Sequence, residues 1–169
     1  GDKIIAAGPS KGIQIPQGAE IIQGKGMSLL PGLIDSHFHI DGSDELPSMF
    51  LQNGITSLRD PGLWIEMYDQ VRKSDKKNPR LFLSGPHLDG SPPAYPNDAY
   101  VVRDDVEAIR QVNEVADQGS TVIKIYFRTP PGMIKAITDA AHKRGLPVTG
   151  HLEITEAKHA IEAGLDGIE

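Results

Sequence analysis

Residues 29 to 169 predict an α/β fold built on a parallel sheet. Two observations carry this expectation: apolar runs of strand length alternate with amphipathic helical patterns, and Gly, Pro or a capping residue punctuates the junctions. A third gives the sheet a chemical end, because the first run closes on two histidines one residue apart. Strands separated by helices imply right-handed crossovers and hence parallel pairing.

Residues 1–28 read as short strands joined by turns: Lys3 to Ala7 stops at Gly8-Pro9, and Ala19 to Ile22 stops at Gly24. So small an all-β piece cannot bury a core alone. The next stretch, Leu29-Leu30-Pro31-Gly32-Leu33-Ile34-Asp35-Ser36-His37-Phe38-His39, organises the chain. If residues 33–39 are extended, the period of two puts Leu33, Asp35, His37 and His39 on one face, so both imidazoles point the same way. Pro31-Gly32 precedes this strand and Asp41-Gly42 follows it, leaving the histidines at its carboxyl end, where parallel α/β proteins bind ligands.

Leu46 to Asn53 reads as a short helix closed by Gly54, and Ile55 to Asp60 as a second strand. Trp64 to Lys76 is expected to be helical, with Ile65, Tyr68 and Val71 at spacings of three, and Arg80 to Gly85 is a third strand. Pro86 to Val101 breaks the rhythm with four prolines and reads as a long connection, either a pocket-shaping loop or a surface insertion. His87 and Asp89 within it are either pocket residues or surface polar groups.

Asp104 is placed to cap a helix running to about Gln118, with Val106, Ile109, Val112 and Val115 as its apolar stripe and Gly119 as its stop. Thr121 to Phe127 is a fourth strand, and Pro130-Pro131 opens a helix that Gly145 ends. Pro147 to His151 is a fifth strand, Thr155 caps a helix to Ala163, and Leu165 to Ile168 begins a sixth strand.

Composition narrows the function. A net charge of −6 argues against nucleic acid and anionic membrane as partners, and the absence of cysteine rules out disulfides and thiolate metal sites. No run approaches the roughly 18 apolar residues of a membrane span. Two adjacent imidazoles on an otherwise apolar strand are either hydrogen-bonded on its edge or ligands of a divalent metal. Lys124, inside Val122 to Phe127, must reach an acid, reach solvent, or lose its charge. His151 ends the fifth strand as either a satisfied core histidine or a ligand. His142 and His159 lie among charged helix residues and read as surface groups, and Asp60 before Pro61 is explained by its turn.

These residues carry a family resemblance. Leu29 to His39 resembles the first barrel strand of the amidohydrolase superfamily, P-G-x-I-D-x-H-x-H, with the Pro-Gly pair, the aspartate and both histidines at the family's spacing. Ile123-Lys124 resembles the fourth strand that bears a carbamylated lysine, His151 resembles the fifth-strand histidine, and Gly54 to Asp60 is similar to the G-x-T-[TS]-x-R-D of peptidase-like members. The resemblance implies a TIM (β/α)8 barrel over residues 29–169, present as its first five to six βα units, since a complete one takes about 250 residues. Residues 1–28 would be part of a small flanking β-sandwich.

The resemblance also implies a site. His37 and His39 would hold one divalent metal and His151 a second, with Lys124, converted by carbon dioxide to an anionic carbamate, between them. Zinc suits such nitrogen-rich ligation, although other divalent ions fit. The implied activity is hydrolysis of an amide C–N bond in a small molecule of dipeptide or N-acyl amino acid type, by a metal-activated hydroxide. A mononuclear aminohydrolase of the deaminase branch is the alternative, against which Lys124 counts. An inert scaffold is the other, against which all four ligand positions count.

The family's catalytic aspartate would fall beyond residue 169, so no residue here is assigned as catalytic acid or base. Gly164 to Glu169 resembles a sixth strand whose next residue, in the family, is a metal-binding histidine. The chain is therefore expected to be a fragment, inactive alone and supported by the remainder of the barrel, with a homo-oligomer left open. A cytoplasmic location is favoured, although Gly1 does not look like a natural start.

Overall fold

The computed structural model describes residues 3–169. Contacts divide the chain after Pro31 into a short amino-terminal unit and a larger unit, Gly32–Glu169. Within residues 3–31 the only regular element is a 3-10 turn, Ser10–Gly12, and Ile4, Ile5, Ile21 and Ile22 are exposed. The short strands expected over residues 1–28 are thus not formed among the described residues. A strand of four or five residues is stable only on a ladder partner, and the described residues supply none there.

The larger unit alternates as the sequence predicts except between β3 and α3, where two further strands stand in place of the expected connection: β1 (Leu33–Asp35), α1 (Leu46–Gln52), β2 (Ile55–Asp60), α2 (Asp69–Lys73), β3 (Arg80–Leu83), β4 (His87–Asp89), β5 (Ala99–Val101), α3 (Asp105–Asp117), β6 (Ile123–Ile125), α4 (Pro131–Lys143), β7 (Val148–Gly150), α5 (Ala157–Glu162) and β8 (Gly167–Ile168). Every strand pairing is parallel, in the orders β1-β2-β3 and β5-β4-β6-β7-β8. The two sheets share one stretch of chain, because β3 and β4 are separated only by Ser84 to Pro86. Across that break the Ser84 amide donates to the Asp60 carbonyl (3.1 Å), and the Thr121 amide donates to that of Leu83 (2.9 Å). Gly85 permits the break: it has φ +72°, and a Cβ there would lie 2.8 Å from Val115.

Two apolar clusters support the sheets. Leu88, Ile123, Ile125 and Val148 pack against Val112, Val115, Ile134 and Ile137 of α3 and α4, all fully buried. Ile40, Leu58, Ile65, Tyr68, Val71 and Leu83 form the second cluster beneath β2 and β3. Each such side chain contributes on the order of 1.5–3 kcal/mol by burial.

Local departures have identifiable causes. The first strand ends at Asp35 because its carboxylate accepts the His37 amide (3.1 Å) and turns the chain, although the Phe38 amide still reaches the Arg59 carbonyl (3.1 Å). The helix expected over 64–76 divides into a 3-10 turn, Ile65–Tyr68, and α2; with three residues per turn, Ile65 and Tyr68 both face inward. In α3 the buried face is Ala108, Val112 and Val115, while Val106 is 78% exposed. Asp104 caps that helix as expected, accepting the Glu107 amide at 2.8 Å. Thr155 does not cap α5: it is buried, and its hydroxyl donates to the Thr129 carbonyl (3.3 Å). The stretch 86–101 is not a plain loop, since it supplies β4, a 3-10 turn (Pro96–Asp98) and β5. Among the described residues no helix is long and apolar enough to cross a membrane.

Candidate functional site

The carboxyl ends of the parallel strands converge on one cavity of about 300 Å³ lined by His37, His39, Lys124 and His151. His37 and His39 follow β1, Lys124 is the middle residue of β6, and His151 follows β7 directly. The His37 ring centroid lies 5.5 Å from that of His39 and 5.4 Å from that of His151. All four positions singled out in the sequence thus meet in space. His142 and His159 stay on the surface, His142 paired with Asp166 at 2.8 Å.

Each of the four sits in a different electrostatic setting. Lys124 is 1% exposed, and burial, partly offset by Glu169, pulls its ammonium pKa down to about 8. Its Nζ lies 3.2 Å from Glu169 Oε1, an ion pair without hydrogen-bond geometry, so both atoms lack a hydrogen-bond partner. The same carboxylate meets His37 Nδ1 and accepts from Arg59 at 2.8 Å. Burial pushes the Glu169 carboxyl up, but Thr149, Lys124, His37 and Arg59 together hold it down to about 2. His151 is shifted down by burial and by Lys124 and His37, and its Nδ1 is buried without a partner.

His39 is held from behind. Its Nδ1 lies 3.2 Å from Asp60 Oδ1 and 3.3 Å from the Gly62 carbonyl, an arrangement that favours a proton on Nδ1 and leaves Nε2 for the cavity. The Asp60 hydrogen bond raises the His39 pKa above its ordinary value. Asp60 is itself buried and accepts the amides of Ile40 (2.8 Å) and Gly62 (3.2 Å), so a residue explained in sequence by its turn also orients an imidazole.

The 86–101 stretch completes the wall. His87 is 4% exposed, lines the cavity and stacks on Tyr126 with ring centroids 4.3 Å apart. Its Nε2 has no partner, and burial lowers its pKa to about 4, so it is uncharged at neutral pH. Tyr95 and Asp98 reach the cavity from the same stretch, and Asp41 reaches it from beyond β1. Asp89 serves a different purpose: fully buried, it accepts the amides of Gly90, Ala94 and Arg128 (2.9, 2.7 and 2.7 Å) and pins the stretch in place. Arg59 and Glu169 went unread in the sequence. The rule that selects His151, a polar group at a strand's carboxyl end, also selects Glu169.

The donor chemistry fits a divalent cation. Four imidazoles and an amine with a lowered pKa share one cavity, and three of those side chains, His87, Lys124 and His151, end in buried nitrogens that make no hydrogen bond. Among the described residues no three His, Cys, Asp or Glu side chains close on a single point, since His37 turns to Glu169 and His39 to Asp60.

No family model matches this chain. Over 60 residues it is 38% identical to adenine deaminase 2 of Shouchella clausii (strain KSM-K16), covering 33% of this chain and 10% of that protein. An amidohydrolase crystal structure superposes with a TM-score of 0.75 and 24% identity, over 93% of this chain and 52% of its own. A prolidase complexed with N-methylphosphonate-L-proline superposes with a TM-score of 0.75 and 21% identity, over 92% and 51%. The chain therefore spans about half the length of the solved structures it matches, and its fold is that of the corresponding part of amidohydrolase barrels.

Proposed function

We propose that this chain belongs to a metal-dependent hydrolase of the amidohydrolase superfamily that cleaves an amide C–N bond in a small molecule of dipeptide or N-acyl amino acid type. The observation that carries the reading is the convergence of His37, His39 and His151 with a buried lysine at the carboxyl ends of parallel strands. The prolidase likeness supports the substrate class.

Within that reading, His37 and His39 would hold one divalent ion and His151 a second, with Lys124 between them. The bound ions would supply an activated water and polarise the substrate carbonyl. The chain's own residues do the preparation. Asp60 fixes the His39 ring with Nε2 free, as groups behind a ligand do at metal sites. Burial holds Lys124 partly unprotonated near neutral pH, the form whose nitrogen lone pair can add to carbon dioxide. A new N–C bond forms, a proton leaves, and the amine becomes an anionic carbamate with two oxygen donors. Glu169 and Arg59 hold the mouths of β8 and β2 together at that point.

The deaminase reading rests on the 60-residue likeness to adenine deaminase 2. Metal analysis of the intact protein, with and without bicarbonate, combined with hydrolysis of dipeptides, N-acyl amino acids and adenine, separates the two. Bicarbonate-dependent loading of two ions and release of amino acids support the amide reading. One ion, no bicarbonate effect and ammonia release from adenine would replace it with the second.

A further inference from the structure

The cavity has a second set of groups that metal binding does not use. Asp41 and Asp98 reach it from opposite connections, one after β1 and the other within 86–101, and both bear electrostatically on the same Tyr68 hydroxyl. Neither takes part in an ion pair among the described residues, where the carboxylates engaged near the cavity are Asp60 and Glu169. Two tyrosine rings line the same cavity, Tyr95 and Tyr126, with centroids 5.7 Å apart at 70°; Tyr126 is already packed against Phe127 (4.3 Å) and lies under Lys124 Nζ (5.9 Å), whereas Tyr95 is exposed. His87 lies against Tyr126 with its Nε2 buried and unpartnered, so a hydrogen-bonding group is held ready that no protein atom satisfies.

Two free carboxylates and the Tyr95 ring, all lining one cavity, stabilise positive charge through Coulomb attraction and through the ring quadrupole. A buried imidazole that is uncharged at neutral pH adds a hydrogen bond without repelling a cation. We propose that the cavity selects substrates carrying an ammonium or guanidinium group, which Asp98 and Asp41 hold against Tyr95 while His87 hydrogen bonds the same molecule. This deepens the hydrolase reading by naming the substrate's charge and rests on that reading for the reaction itself.

Binding of Nα-acetyl-arginine amide and of its uncharged isostere Nα-acetyl-citrulline amide to the intact protein, measured by calorimetry, tests the assignment without requiring turnover. The arginine compound is expected to bind at least tenfold more tightly, the preference to fall within twofold in Asp98→Asn, and Asp98→Lys to disfavour it. Metal content, read on each variant, should not change, because Asp98 lies outside the ligand set. His87→Phe, which keeps the ring on Tyr126, should weaken both amides about equally. Equal affinity of the two amides, no millimolar binding of either, or an undiminished preference in Asp98→Asn would overturn the inference. Hydrolysis of an uncharged N-acyl amino acid, followed in parallel, keeps the two claims apart: turnover without cation preference sinks the inference alone, and cation preference without any amide hydrolysis sinks the hydrolase reading alone.

Discussion

Asp60 is the residue on which His39 depends. Its carboxylate meets the imidazole from behind while fixing the amides of Ile40 and Gly62, so the ring, the chain after β1 and the turn after β2 share one anchor. Asp60→Asn keeps an acceptor but loses the charge that favours the Nδ1 proton, and such losses behind a ligand typically cost 10–100-fold in metal affinity or activity. The variant is expected to fold, with an unchanged circular dichroism spectrum, and to show metal affinity or turnover reduced by about that factor; full activity would mean that Asp60 serves only the turn. Lys124→Ala is expected to lose most of the activity in the intact protein, and small carboxylic acids that occupy the vacated space should restore part of it. Unchanged turnover and metal content would make Lys124 a structural partner of Glu169 and nothing more.

The 86–101 stretch shows what tight backbone packing does for a site. Gly90 passes so close to Arg128 that a Cβ there would lie 1.9 Å from the Arg128 carbonyl oxygen, a clash with backbone that no rotamer relieves. Gly90→Ala is therefore expected to displace the stretch, lowering the melting temperature by several degrees and exposing residues 86–101 to limited proteolysis. The junction of β7 and β8 makes a contrasting case. Asp166 accepts the Val148 amide (2.7 Å) and meets His142 Nε2 (2.8 Å); partial burial pushes its pKa up, but those two partners outweigh it and the net shift is downward. Because the folded carboxyl is the stronger acid, its contribution is present above the unfolded pKa near 3.8 and is lost as pH falls through the folded value. Asp166 is 42% exposed, so solvent screening limits the effect to about 1 kcal/mol or less. Urea unfolding of Asp166→Asn at pH 7 and pH 3 should show the variant weaker at pH 7 and the gap to the parent smaller at pH 3.

The same elements show what could be read in advance. The order of strands and helices in residues 32–169 was legible because Gly, Pro and Asp104 mark the ends and the apolar period switches between two and 3.6. His37, His39 and His151 were legible because each breaks an apolar run at or near its carboxyl end, and Lys124 because it interrupts one from within. Long-range relations were not: nothing local tells that Glu169 will meet Lys124, or that Asp89 will gather three amides and make a connection into β4 and β5. Over residues 3–28 the strand-like composition forms no strand, because the described residues supply no ladder partner there.

Taken together, the larger unit separates support from chemistry. The Ile, Leu and Val layers between sheet and helices hold the framework, whereas the cavity end collects Lys124, Glu169, His151 and His87, which are costly to bury and whose polar atoms are incompletely satisfied. A cation bound there would satisfy nitrogen atoms that the fold alone leaves idle, so metal and stability must be linked. At a free metal concentration one hundred times the dissociation constant, that linkage contributes about 2.7 kcal/mol, enough to raise the melting temperature by several degrees. Chelation of the intact protein is accordingly expected to lower its melting temperature and abolish turnover, and zinc with bicarbonate to restore both. Lys124→Ala should regain less of either on the same treatment and be indifferent to bicarbonate, because it has no amine to carbamylate. A protein whose melting temperature and turnover ignore both chelator and zinc would show that the His37, His39 and His151 cluster is not a metal centre.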